Sequence, residues 1–313
     1  MRVGSHRQLR SHDPILVTGS HRSGTTWVGR MLCASGEAAY IHEPFCPNRS
    51  PGWITEPLPY WYMYISPENE SPYLPGVRRV LQLRYPVARS LVASRSARDV
   101  ARQLPEIPRG LSYRVRGLRP LLKDPFALFS SEWLADRFRV RPVIMIRKPV
   151  AFVSSIKRLN WGFDYEQNWL AQPALMRDHL GGHEGSFRGY QGEVDLVKEG
   201  IVMWNAIYDF VRALEARRPE FLYVKYEELA AEPVAGFEKL YAGLGLTWDE
   251  DARARVADFS DSTNPKDVST RDRRAIKRDS RAAAETWRQR LSPEEIERVE
   301  RETAAVAAHF YDD

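Results

Sequence analysis

Glycine, serine, threonine and arginine crowd into one short stretch, Gly19-Ser-His-Arg22-Ser23-Gly24-Thr25-Thr26-Trp27. It follows the apolar run 15–18 and precedes the helix-like Val28-Gly-Arg-Met-Leu-Cys33. A glycine-rich turn from a strand into a helix aims backbone N–H groups and the positive end of the helix dipole at one point, which is how proteins hold phosphate. The spacing fits G-x-x-x-x-G-[KST]-[ST]. Thr25, however, stands where an NTPase carries the lysine that reaches the β- and γ-phosphates. Arg22 is the nearest cation, and the apolar run 143–146 ends in Arg147 rather than a magnesium-holding aspartate. Both departures disfavour a P-loop phosphotransferase or NTPase using ATP and magnesium.

A second anion reader follows that run. Arg147-Lys148-Pro149 leads into a helix-like stretch with Ser154 and Ser155. An arginine at a strand's carboxyl end and a serine eight residues later converge on one anion, the guanidinium supplying the forked donor that phosphate accepts. Taken alone, Arg147 serves equally well as a strand-end salt-bridge partner.

These residues need elements to position them. Apolar runs recur at 15–18, 38–42, 121–123, 143–146 and 221–224, separated by helix-like stretches at 25–34, 128–138, 151–159, 193–216 and 235–244. Short apolar strands alternating with helices predict an α/β fold with a doubly wound parallel sheet of about five strands, helices on both faces and a P-loop type of nucleotide site at the strands' carboxyl ends. One domain is expected over 1–313, with substrate-loop insertions at 44–120 and 161–192. Residues 44–76 are rich in proline and aromatics, among them Trp53, Tyr60, Trp61, Tyr62 and Tyr64, and exclude a regular helix or central strand. Residues 161–192, rich in Gly, His and aromatics, read as a loop or lid. Both segments are expected to line the acceptor pocket.

Arg22-Ser23-Gly24-Thr25-Thr26-Trp27 resembles the phosphate loop [KR]-[ST]-G-[TS]-[TS]-W of the sulfotransferase superfamily, which uses 3′-phosphoadenosine 5′-phosphosulfate (PAPS) as donor. Arg147, Pro149 and Ser155 match the family's R-x-P-x(5)-S in register, and the resemblance covers most of the chain. It implies that Ser23, Thr25, Thr26 and the loop N–H groups hold the phosphosulfate, that Arg22 lies near the bridging oxygen, and that Trp27 stacks on adenine. Lys225-Tyr226-Glu227-Glu228-Leu229 resembles a family segment whose tyrosine lies near the adenine, so Tyr226 takes that role. The basic run before Trp287 resembles a loop that covers the 3′-phosphate, with Arg281 the first choice for it and Arg278 the second.

The resemblance also directs the search for a general base, which sulfuryl transfer to a hydroxyl requires. Leu121-Leu122-Lys123-Asp124-Pro125 keeps the lysine of the cytosolic branch's K-x-H pattern but has proline at the histidine position. His42-Glu43-Pro44-Phe45 resembles the bacterial and carbohydrate-modifying branches, where a glutamate here acts as base. Glu43 is therefore the expected base, with His42 and Asp124 as alternatives, and Lys123 joins Arg22 in neutralising the sulfuryl oxygens. A salt bridge is the other reading of Glu43. The expected reaction is sulfuryl transfer from PAPS, without a metal, to an acceptor hydroxyl of a carbohydrate or glycolipid.

Composition bounds these readings. The chain has 313 residues, 28% of them charged, 43% hydrophobic, and a formal net charge of +5. No stretch approaches the ~18 apolar residues of a membrane span. The start of the chain is polar without a signal core, so a cytoplasmic protein is expected. Cys33 and Cys46 are too few for a disulfide framework or a four-ligand metal site and read as reduced thiols. The arginine-heavy usage hints at a GC-rich bacterial source. Residues 78–119 hold eleven arginines against only Asp99 and Glu106, and a second basic cluster comprises Arg271, Arg273, Arg274, Lys277, Arg278 and Arg281. Such blocks suit a phosphate-bearing ligand, a polyanion or an anionic lipid surface, or simply a solvated helix face. A non-catalytic polyanion-binding protein is thus a third reading. The expected partner is a small-molecule or glycan acceptor, anionic acceptors included, and not nucleic acid; the oligomeric state is left open.

Overall fold

In the computed structural model, which describes residues 12–189, 195–267 and 276–311, five strands build one sheet. They are β1 Ile15–Gly19, β2 Ala38–His42, β3 Arg119–Lys123, β4 Arg141–Ile146 and β5 Leu222–Lys225. All neighbours are parallel and the order is β2-β3-β1-β4-β5. The chain winds from β1 outward to β2, back to β3, and then past β1 to β4 and β5. The central strand β1 thus lies where the direction of winding reverses, the place at which sheets of this type leave a crevice beyond their carboxyl ends.

Alternation along the strands explains why both faces are covered. Ile15, Val17, Leu121, Val143 and Met145 pack on one side with Trp27, Val28 and Phe237, while Ile144 and Ile146 pack on the other with Phe152 and Trp204. Leu16 and Leu122 meet Phe45, Ile54 and Val80 in a third cluster towards the β2 edge. Successive side chains point to opposite faces, so a strand apolar at every position is buried on both. Each fully buried Leu, Ile or Val contributes roughly 1.5–3 kcal/mol. No described helix is long and apolar enough to cross a membrane, and both cysteines are free thiols.

Two segments differ from their sequence reading. Residues 161–192 are largely helical as far as they are described, with π turns Glu166–Leu170 and Met176–Leu180 and the helix Glu184–Arg188. Tyr165, Trp169, Leu175, Leu180 and Phe187 bury themselves in the core beside the long helix Leu196–Arg217. Their spacing of four to seven residues puts them on the inward side of successive helical turns, whereas the Gly181-Gly182 pair that suggested a lid makes only a short turn. The stretch predicted as one helix over 128–138 is split: a 3₁₀ segment Pro125–Ser130, capped by Asp124, precedes the helix Ser131–Phe138. The basic segment 78–119 folds mainly as four helices, Leu74–Leu81, Val87–Val92, Ala97–Gln103 and Glu106–Val115. Arg271, Arg273 and Arg274 lie outside the described residues, as do positions 193 and 194 of the predicted helix 193–216.

Candidate active site

The glycine-rich loop is closed by its own backbone and pinned from outside by two tyrosines. Gly19 sits at φ +140, and a Cβ there would meet the Met145 carbonyl oxygen at 2.5 Å, so only glycine lets β1 turn this close to β4. Ser23 donates both its N–H, at 3.2 Å, and its hydroxyl, at 2.5 Å, to the Ser20 carbonyl. The hydroxyl proton of Ser23 is therefore spent on the loop rather than presented to an anion. Ser20 Oγ bonds the Tyr208 hydroxyl at 2.8 Å. On the opposite flank the His21 N–H donates to the Tyr62 hydroxyl at 2.8 Å, and that hydroxyl bonds His21 Nδ1 at 2.6 Å. Burial, reinforced by Arg22, brings the His21 pKa down to about 3, so the ring is neutral. Gly24, at φ +94, begins the helix Thr25–Met31, whose first N–H groups have no intrahelical partners and face the loop.

Tyr226, just after β5, closes the loop together with Trp27 of the helix Thr25–Met31. A Cβ on Gly24 would meet the Tyr226 ring at 2.4 Å. Trp27, 8% exposed, packs edge-on to Tyr226 at 5.7 Å and to Phe237 at 5.2 Å. The Arg147 guanidinium lies over the other part of this arrangement, 3.8 Å from the Tyr226 ring centre. Arg147 also pairs with Glu227 at 3.3 Å, while its backbone N–H donates to Tyr208 and its carbonyl accepts from Trp204. Arg147 is thus a strand-end ion-pair partner whose guanidinium lies beside the ring that packs on Gly24.

The two anion motifs meet. Arg22, itself at φ +66, donates from Nε to Ser155 Oγ at 2.9 Å. Burial and the neighbouring charges of Arg278, Arg147, Arg158 and Arg290 bring its pKa down to about 10. Five guanidinium groups therefore act on one region, against which stand Glu227 on Arg147 and Asp267, shared by Arg158 at 2.6 Å and Arg290 at 2.5 Å. The cluster includes Arg278 and leaves out Arg281. The Arg281 side chain is exposed, donates to the Ala231 carbonyl at 2.7 Å and lines a separate depression with Glu232, Trp248 and Asp279. Of the two arginines considered from sequence, Arg278 is the one whose charge acts on Arg22, and Arg281 points elsewhere.

Beyond the ends of β2 and β3 lies a carboxylate held by cations. Lys123, 3% exposed at its side chain, pairs through Nζ with Glu43 Oε1, and Arg49 Nε reaches Oε2 at 3.2 Å. His42 is 3.7 Å from the same carboxylate. Burial works to raise the Glu43 pKa, but Lys123, His42 and Arg49 outweigh it and hold the group down at about 2. Burial lowers the Lys123 pKa against the pull of Glu43. The lysine stem is guided by Gly29, where a Cβ would approach Lys123 Cβ and Cγ at 3.1 Å. Glu43 stands at φ +50, fixed because its N–H donates to the Lys123 carbonyl at 2.8 Å.

The two alternative bases are held by different partners. Asp124 is fully buried; Oδ2 accepts from the Phe45 N–H at 2.5 Å and Oδ1 from the Phe126 N–H at 3.0 Å, so it anchors the turn that carries Glu43. Burial and the Glu43 charge push its pKa up to about 7. His42 stacks on Tyr40 and bonds its hydroxyl at 3.2 Å through Nδ1; burial, with Lys123, brings its pKa down to about 3.

Sequence reasoning missed Arg49, Arg158, Arg290, Glu227, Tyr62 as a loop anchor, and Tyr208. Arg158 was within reach of it, since it follows Ser155 by three residues on one helix face. Tyr62 and Tyr208 carry no local signal, because their partners are 41 and 188 residues away.

A five-stranded parallel sheet wound in this order, with an arginine-bearing glycine loop and a strand-end arginine at its carboxyl edge, defines an α/β protein of the P-loop type of fold. Residues 14–250 match the sequence profile of the Sulfotransferase family, and the chain belongs to that family. No curated protein sequence matches it significantly. Among solved structures it is similar to the sulfotransferase domain of the olefin synthase of Synechococcus PCC 7002, at 17% identity and a TM-score of 0.47 over 98% of this chain and 99% of that one. Sulfotransferase STF9 of Mycobacterium avium shares 14% identity at a TM-score of 0.44, covering 96% and 78% of the two chains. Mouse sulfotransferase SULT7A1, complexed with PAP, shares 12% identity at a TM-score of 0.44, covering 97% and 87%.

Proposed function

We propose that this sulfotransferase moves the sulfuryl group of PAPS to a hydroxyl of a small-molecule or glycan acceptor, a carbohydrate or glycolipid, with Glu43 taking the acceptor's proton. The observation that carries the reading is the bond between Arg22 and Ser155 inside a cluster of five arginines. Cations so close together repel one another unless an anion of higher charge sits among them, and a nucleotide phosphorylated at two positions meets that need. Arg147, Arg278 and Ser155 are assigned to the 3′-phosphate. The loop N–H groups, Thr25 and Thr26 are assigned to the 5′ end, with Trp27 and Tyr226 beside the base. Ser23 contributes through the shape of the loop, its hydroxyl being used by Ser20.

In the transfer the sulfur–oxygen bond to the leaving phosphate breaks as the acceptor oxygen bonds to sulfur. Arg22 and Lys123 take up the negative charge that develops. A carboxylate paired as Glu43 is would be a weak base. When Lys123 turns its charge to the sulfuryl oxygens, Glu43 loses its main stabilising partner and its proton affinity rises, as the reaction needs. The test is a titration of 3′-phosphoadenosine 5′-phosphate against ATP, with and without magnesium, read by thermal stability. A ligand at about a hundred times its Kd stabilises by about 2.7 kcal/mol. Preference for the 3′-phosphorylated nucleotide without metal is the expected result, and preference for ATP with magnesium would reject the assignment.

A further inference from the structure

Every large apolar side chain that stands exposed among the described residues lies in one run of chain: Val87, Leu91, Val92, Leu104, Leu111 and Val115. They sit on or next to the helices Val87–Val92, Ala97–Gln103 and Glu106–Val115. In the last of these Gly110 turns inward, where a Cβ would lie 3.2 Å from the Trp53 ring. Leu111 and Val115, one turn apart, form a stripe rotated away from Gly110 and are 63% and 78% exposed. Val92 is 88% exposed.

The same helices are basic. Asp99 and Glu106 are the only carboxylates between 78 and 119, and Arg102 and Arg109 already pair with them. Arg89, Arg95, Arg98 and Arg114 are exposed and form no ion pair among the described residues. A solvated face would not gather all the exposed large aliphatic residues among those described, and a polyanion would need only the arginines. Aliphatic tips projecting from three short helices between unpaired guanidinium groups suit a fluid boundary that is apolar within and anionic at its surface.

We propose that this face seats the protein on an anionic lipid bilayer, with the Leu and Val side chains in the boundary between headgroups and acyl chains and the arginines on lipid phosphates. The face is coupled to the site already described. Arg102 donates to the Asn48 carbonyl at 3.0 Å and to the Pro51 carbonyl at 3.2 Å, bracing the turn from which Arg49 reaches Glu43. The proposal does not depend on the identity of the reaction.

The test is flotation of the full chain with vesicles of phosphatidylcholine alone and of phosphatidylcholine mixed with phosphatidylglycerol. Binding is expected only to the second, weakening as salt is raised to about 0.5 M, where screening shortens the reach of charge to a few ångströms. The double variants Leu111→Asp/Val115→Asp and Arg89→Ala/Arg98→Ala should each lower binding by about tenfold or more. Both should keep the wild-type circular dichroism spectrum and nucleotide affinity. No flotation, or equal flotation of the wild type and both variants, overturns the proposal. So does binding to soluble polyglutamate as tight as to the vesicles and indifferent to the Asp substitutions, which would mark the face as a site for an acidic polymer.

Discussion

Arg22 Nε donates to Ser155 Oγ across 2.9 Å, so the glycine-rich loop after β1 and the helix after β4 are joined by a side-chain bond. The bond gives the second motif a measurable role. Ser155→Ala removes one charge-assisted hydrogen-bonding group, worth about 1.5 kcal/mol or roughly tenfold in affinity. The loss should appear with 3′-phosphoadenosine 5′-phosphate and be much smaller with adenosine 5′-phosphate, as calorimetric titration of both would show. Equal losses with the two nucleotides would take Ser155 out of 3′-phosphate recognition.

Among the arginines, position separates two candidates that sequence left side by side. Arg278→Ala and Arg147→Ala should each weaken binding of the 3′-phosphorylated nucleotide by about tenfold or more, since a hydrogen bond to a charged group contributes about 1.5–3 kcal/mol. Arg281→Ala, which removes only a bond to the Ala231 carbonyl, should leave that affinity within about twofold. A large loss at Arg281 with none at Arg278 would restore the sequence-based order.

Gly24 offers a test of the loop itself. With φ at +94 and Tyr226 only 2.4 Å from a would-be Cβ, Gly24→Ala must displace the tyrosine and strain the backbone. A loss of about 1–3 kcal/mol in stability is expected, read by denaturant unfolding, together with weaker nucleotide binding. Wild-type stability in this variant would contradict the close approach.

The sheet was legible because its strands are short apolar runs: 38–42 coincides with β2, and the starts of β1 and the end of β4 agree with their runs. The anion motifs were legible because both are local, each contained in one strand-to-helix turn. What escaped is long-range. No spacing rule links Tyr62 or Tyr208 to the loop, or brings Arg49 to Glu43, since those meetings are made by packing on the finished sheet. Arg278 and Arg281 face different neighbours because the helix Ser280–Ala284 begins between them, and loop register alone could not separate them. The 161–192 segment was misjudged because its glycines and histidines were weighed above the helical spacing of its buried aromatics.

Asp124 separates an anchoring carboxylate from a proton acceptor. Asp124→Asn keeps one acceptor and gives up the other, leaving the Phe45 or Phe126 N–H without its partner, at about 1–3 kcal/mol. The pH dependence has a definite sign. The folded pKa is raised from 3.8 to about 7, so the folded protein holds this proton more tightly than the unfolded chain. The resulting stabilisation is present in acid and is lost as pH rises from about 4 through 7. Asn does not titrate, so the stability gap between wild type and variant should narrow over that window. Denaturant titrations at several pH values measure it, and a gap that widened with pH would reject the raised pKa.

Glu43 has the opposite sign and the larger catalytic stake. Its folded pKa is lowered from 4.5 to about 2, so its contribution to stability is complete above about 4.5 and is lost as pH falls through about 2. Glu43→Gln removes that contribution and leaves the Lys123 charge, 3% exposed, without its carboxylate. A loss of about 1–3 kcal/mol near neutral pH is expected, below the value for a fully buried pair because Glu43 keeps contact with water. Turnover should fall on the order of 10²-fold with nucleotide affinity nearly unchanged. A carboxylate that served only to pair Lys123 would give the stability loss without the fall in turnover, and the proton acceptor would then have to be sought at His42 or Asp124.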